Sequence, residues 1–64
     1  MNKLQELRRA AGLSQSQLAE KSGVPVRTLQ KYETGEVDLG KASAYTVMKL
    51  AAAVGCSVEE MLHG

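Results

Sequence analysis

The sequence has no Phe and no Trp, and only one Cys, one Pro and one His. Each scarcity removes a class of answer. With Cys56 alone, no disulfide can close within the chain. Its 64 residues must therefore fold around one modest apolar core, near the lower size limit for folding without staples, as suits a reducing cytoplasm. Cys56 itself, in Val-Gly-Cys-Ser, reads as a small buried or half-buried hydrophobe, with a redox role as the rival reading. Strand signals are missing, because no stretch alternates apolar and polar residues for long. The longest apolar run, residues 50–54, is far too short to span a bilayer. The opening Met-Asn-Lys-Leu-Gln-Glu-Leu lacks the apolar region of a signal peptide. Membrane and secreted readings are therefore poor. His63 has no second His and no Cys at ligand spacing, so no metal site is expected. No base can be named for Ser14, Ser43 or Ser57, and no glycine-rich phosphate loop occurs. The expectation is a protein with no cofactor that is not an enzyme.

Charge is also scarce. A net charge of +1 does not by itself argue for a nucleic-acid partner. Its distribution is more informative. Acidic residues gather at Glu36 and Asp38 and at Glu59 and Glu60, and basic ones at Arg8 and Arg9 and at Arg27 and Lys31.

What the chain does have is Ala, Leu, Lys, Glu and Gln in abundance, a helix-forming set. One punctuation recurs: a glycine, an apolar residue, then a helix starter, in Gly12-Leu13-Ser14, Gly23-Val24-Pro25 and Gly55-Cys56-Ser57. Glycine supplies the left-handed conformation that ends one helix, and serine caps the next. Ser14 with Gln17, and Ser57 with Glu60, have capping-box spacing. Leu13 with Leu18, Val24 with Leu29 and Cys56 with Met61 have the spacing of a hydrophobic staple. Pro25 has no capping side chain but suits the first turn of a helix.

These signals predict five helices, over residues 3–11, 15–22, 26–34, 44–54 and 58–63. Leu4, Leu7 and Ala11 share one face of the first, and Leu18 and Ala19 are buried on the second. A loop over residues 36–42 tucks Leu39 inward, and Ser43 caps the fourth helix. Val47, Leu50, Ala51 and Val54 repeat there at helical spacing. The fifth helix presents Met61 and Leu62.

Only Gly23-Val24-Pro25 separates the second and third helices, which makes them a helix-turn-helix over residues 15–34. The second helix of such a unit can enter the DNA major groove. At about 100° per residue, Leu29 and Tyr32 point to one side of the third helix and Arg27, Lys31 and Thr34 to the other, flanked by Val26 and Gln30. Arg and Lys donate to guanine, Gln pairs with adenine, and Val touches a thymine methyl. A plain solvated helix face is the competing reading of that stripe.

The span from Leu4 to Leu62 resembles the lambda-repressor-like family, the Cro- or XRE-type helix-turn-helix domains. The residues that carry the resemblance are Leu7-Arg8, Gly12-Leu13-Ser14-Gln15, Gln17-Leu18-Ala19, Gly23-Val24, Thr28-Leu29, Tyr32-Glu33, Gly35, and Leu50-Ala51 through Ser57, Val58 and Leu62. The resemblance implies an all-α, compact five-helix fold forming one DNA-binding domain over residues 1–64. It also implies cytoplasmic transcription regulation, usually as a repressor-type homodimer on an inverted-repeat operator of double-stranded DNA. Carried onto this chain, it gives Val26, Arg27 and Lys31 to base reading and Gln15, Thr28 and Thr34 to phosphates; Gln30, on the flank of the stripe, is expected to read bases with the first group, and Ser14, next to Gln15, to contact a phosphate with the second. Gln15 would also buttress the reading helix. Two positions depart from the family pattern: Pro25 stands where Ser or Thr is common, and Val26 where the first groove-facing residue is usually polar.

Arg8 and Glu33 fall on the inner sides of the first and third helices, where lone charges are costly and paired ones satisfy each other. In the family these positions form a partly buried structural ion pair. The remaining free surface lies in residues 48–62, with Met48 and Met61 as exposed apolar candidates for self-association. The rival reading is an antitoxin-like or anti-repressor-like module that binds another protein through the same fold. Salt separates the two, because phosphate contacts weaken steeply with ionic strength and an apolar interface does not. A third reading makes the chain the reading head of a larger sensor.

Overall fold

A computed structural model of the chain describes residues 2–63, without the side chain of His63. It contains α1 (Lys3–Ala10), α2 (Gln15–Ser22), α3 (Val26–Thr34), a single 3-10 turn (Leu39–Lys41), α4 (Ala44–Val54) and α5 (Val58–His63). Among the described residues there is no strand.

The helix boundaries follow from local chemistry. Ser14 and Gln17 form a complete capping box: the Gln17 amide donates to Ser14 Oγ at 3.1 Å, and the Ser14 amide to Gln17 Oε1 at 2.8 Å. Ser43 and Ser57 each accept the amide three residues on. The first helix ends one residue earlier than expected. Its Ala11 is exposed instead of facing the core with Leu4 and Leu7. The Gly12 amide donates to the Arg9 carbonyl and the Leu13 amide to the Arg8 carbonyl, a Schellman closure that turns the chain away beneath Ala11. The loop after α3 also holds more structure than a plain connection, since the Asp38 carboxylate accepts the Gly40 amide at 2.9 Å and nucleates the 3-10 turn.

Four leucines, one from each of α1 to α4, are fully buried: Leu4, Leu18, Leu29 and Leu50. Burying such a side chain contributes roughly 1.5–3 kcal/mol each. Val24, Tyr32, Val47, Ala51, Ala53 and Met61 complete the core, and Leu7, Leu13, Ala19, Leu39, Val54 and Cys56 pack against it. Burial pushes the Cys56 thiol up from its ordinary value; the Glu60 carboxylate adds to the shift and Lys3 opposes it. A thiol held protonated acts as a small apolar group.

Met61 corrects an expectation. It is 2% exposed, part of the core rather than of a free apolar surface. Because α5 lies against both α1 and α4, one side of its short length is covered. Leu62, about 100° further round the helix, is 39% exposed. The exposed apolar surface of α4 is instead Tyr45 and Met48, at 70% and 57%. The Lys49 ammonium sits 4.6 Å from the centre of the Tyr45 ring.

Candidate nucleic-acid interface

The turn between α2 and α3 determines how the third helix is presented. Gly23 adopts φ +78°, a left-handed conformation that costs a side chain about 1–2 kcal/mol. Its amide closes α2 on the Ala19 carbonyl at 2.9 Å. The next amide, of Val24, donates to the buried Ser22 hydroxyl at 3.2 Å. Val24 then drops into the core and Pro25 starts α3, its carbonyl accepting the Leu29 amide at 3.0 Å. Pro25 provides no side-chain cap.

From this start, nine residues of α3 run about 13 Å, comparable with the roughly 12 Å width of a DNA major groove. Leu29, Tyr32 and Glu33 are buried. Arg27, Gln30, Lys31 and Thr34 are exposed, Val26 is at the margin with 36%, and Thr28 is half-buried. Neither Arg27 nor Lys31 makes an ion pair among the described residues, so both charges are free toward solvent. One side of the helix thus packs inward through Leu29, Tyr32 and Glu33, and the other presents Arg27, Gln30 and Lys31 to solvent.

The helix is held from below by polar contacts. Arg8 Nε donates to Glu33 Oε2 at 2.7 Å and Arg8 Nη2 to Glu33 Oε1 at 3.1 Å. The third guanidinium contact, Nη1 to the Leu13 carbonyl at 2.8 Å, ties the pair to the segment leading into α2. Among the described residues no buried side-chain polar atom lacks a partner. Gln15, half-buried at the start of α2, donates through Nε2 to Glu33 Oε1 at 3.1 Å and accepts from Gln30 Nε2 at 3.4 Å. Ser14 lies beside it, exposed, with its hydroxyl engaged in the capping box. The Thr34 hydroxyl donates to the Lys31 carbonyl at 3.2 Å and accepts the Glu36 amide at 3.4 Å, closing the far end of α3.

Asn2 is a structural contributor that sequence reasoning passed over. Its Oδ1 caps α1 by accepting the Gln5 amide at 3.0 Å, and its Nδ2 donates to the Tyr32 carbonyl. The first link has a signal, Asn before a helix. The second joins residues far apart in sequence and has none.

A helix-turn-helix family model matches residues 4–61 of the 64. The chain belongs to the helix-turn-helix family of the Cro/C1 type. This is a family of DNA-binding transcription regulators. No curated protein and no solved structure matches the chain. The two helices of that motif are α2 and α3, joined by the turn at residues 23–25. No helix among the described residues is long and apolar enough to cross a membrane. Among them, no group of three or more His, Cys, Asp or Glu is placed to hold a metal ion.

Proposed function

We propose that this chain is a sequence-specific, repressor-type transcription regulator of the cytoplasm, a single domain over residues 1–64 that reads the major groove with α3. The observation that carries the reading is the exposed stripe of Arg27, Gln30 and Lys31 beside Val26, on a helix whose other side is buried through Leu29, Tyr32 and Glu33. Val26, Arg27, Gln30 and Lys31 contact base edges. Ser14, Gln15, Thr28 and Thr34 lie toward the phosphates, which position a reading helix without carrying sequence information. A compact head seated on an operator excludes other proteins from that DNA, which suits repression.

Selection of bound sites from random duplex DNA tests the reading directly, and a defined consensus is expected. Arg27→Ala then costs about 1–3 kcal/mol against the preferred site and relaxes preference at one or two base pairs. Because Arg27 is exposed and unpaired, its thermal unfolding stays close to that of the parent. Binding titrations on consensus and singly changed duplexes measure the effect. Unchanged site preference in Arg27→Ala and in Lys31→Ala would remove base reading from this face.

One head covers only a few base pairs, too few to mark a site among millions of competitors. We place two heads on an inverted repeat, their half-sites about 34 Å apart, joined through residues 48–62. The exposed Met48 of α4 is the apolar candidate at the centre, with Tyr45 one turn before it. On a two-fold axis an introduced charge meets its own copy. Met48→Glu is therefore expected to abolish cooperative occupation of a palindromic duplex while the monomer stays folded. Sedimentation of protein with palindromic DNA reports it; one head per duplex at saturating parent protein excludes the dimer.

A further inference from the structure

The two ends of α3 are held differently. Its first turn follows the tight connection at residues 23–25, and Leu29 sits fully buried at its middle. Its last turn is backed by an open cavity of about 300 Å³, lined by Asn2, Tyr32, Gly35, Val37, Asp38 and Leu39. From the wall of that cavity, Asn2 Nδ2 donates to the Tyr32 carbonyl. We propose that Asn2 is a positioning residue for DNA binding: its bridge to the Tyr32 carbonyl fixes the last turn of α3, and with it the reach of Lys31 and Thr34.

The carbonyls in the last turn of a helix have no partner within the helix. In α3 the Tyr32 carbonyl accepts the Gly35 amide at 3.3 Å, and the Lys31 carbonyl accepts the Val37 amide at 3.2 Å. A carbonyl oxygen has two lone pairs, so the Tyr32 oxygen can take Asn2 in addition. The Thr34 hydroxyl donates to the Lys31 carbonyl, one peptide away from the bridge. The side chains of Tyr32 and Glu33 hold the inner side of this turn, and Asn2 adds a hold on its backbone. Two partners demand the same orientation of the Asn2 amide. Its Oδ1 accepts the Gln5 amide at 3.0 Å, which only the oxygen can do, and only the NH2 can serve the Tyr32 carbonyl. One side chain therefore caps the start of α1 and ties it to the end of α3. Arg27 lies about 7 Å along the helix from Tyr32, outside the turn that the bridge fixes.

This proposal rests on the reading role given to α3, and its test separates the two. Asn2→Asp keeps an acceptor for the Gln5 amide, and so the cap of α1, but a carboxylate has no hydrogen to give a carbonyl. Asn2→Ser keeps the cap through a single oxygen and has no second arm. Sites are first selected with the parent protein. The base pairs read by Arg27 and by Lys31 are those whose preference disappears in Arg27→Ala and in Lys31→Ala. The parent is expected to prefer its base by about tenfold at each. In both Asn2 variants the preference at the Lys31 pair is expected to fall within about twofold, while that at the Arg27 pair persists. Amide hydrogen exchange reads the cause: the Gly35 and Val37 amides should exchange about tenfold faster than in the parent, with the Leu29 amide unchanged. A role confined to stability would not move one preference without the other in protein shown by circular dichroism to be folded. Folded variants that keep both preferences, or lose both alike, overturn the positioning role. Should Asn2→Asp fail to fold, Asn2→Ser decides alone. A parent that selects no site, or loses no preference in Lys31→Ala, overturns the reading role of α3. Unchanged exchange at Gly35 and Val37 overturns the bridge itself.

Discussion

Arg8→Ala is expected to lower the unfolding free energy by about 3–5 kcal/mol, the usual consequence of stranding one member of a buried ion pair. The Glu33 side chain is 2% exposed and would lose both guanidinium donors, keeping only the Gln15 amide. The Leu13 carbonyl would lose its side-chain donor as well. A chain of this length has a total stability of roughly 3–10 kcal/mol, so the loss removes about a third of it or more and the unfolding midpoint should drop steeply. Urea unfolding of the parent, Arg8→Ala, Glu33→Ala and the double variant gives the coupling energy by a double-mutant cycle. Strictly additive effects would show that the two side chains do not act as a pair. High salt should barely change the coupling, since a buried pair is little screened.

Leu29→Ala is the second large effect, a loss of about 2–5 kcal/mol. Leu29 is fully buried and anchors the centre of α3, and it is the far member of the staple that starts at Val24. Truncation removes apolar contact and leaves a cavity that surrounding helices close only in part. Arg27, two residues away on the same helix, is expected to behave oppositely: its removal should cost affinity and leave the unfolding midpoint in place. Thermal unfolding and DNA titration of both variants place them on different axes. A Leu29→Ala protein as stable as the parent would contradict the burial of that side chain. Where Leu29→Ala remains folded, its affinity should fall for all sequences together, because a loosened helix loses every contact at once.

Much of the architecture was legible because the signals that encode it act over three to five residues. Ser14 with Gln17, Ser43 and Ser57 start their helices through hydrogen bonds to amides within one turn. Gly12, Gly23 and Gly55 end theirs through left-handed backbone that most side chains disfavour. The inward and outward faces of α3 follow equally from spacing, since Leu29, Tyr32 and Glu33 lie on one side of a regular helix. The exposed stripe was readable for the same reason.

Other features depended on which helix lies against which. Helical spacing does not say whether Met61 or Leu62 faces inward, because a helix as short as α5 carries too few apolar positions to define a stripe. Its seat against α1 and α4 buried Met61 and left Leu62 exposed. The opposite condition hid Ala53, which is buried, and Tyr45, whose ring turns outward: α4 carries apolar residues on most of its sides, so spacing alone does not say which of them face the core. The amide of Asn2 reaches the Tyr32 carbonyl, and that of Gln15 reaches Glu33, across 30 and 18 residues of chain. Local order along a chain encodes helices, their ends and their faces, because those rest on neighbours in sequence. The partners of a polar side chain across the core come into existence only when the helices pack, so the orientation of Gln15 beneath α3 was decided by tertiary structure alone.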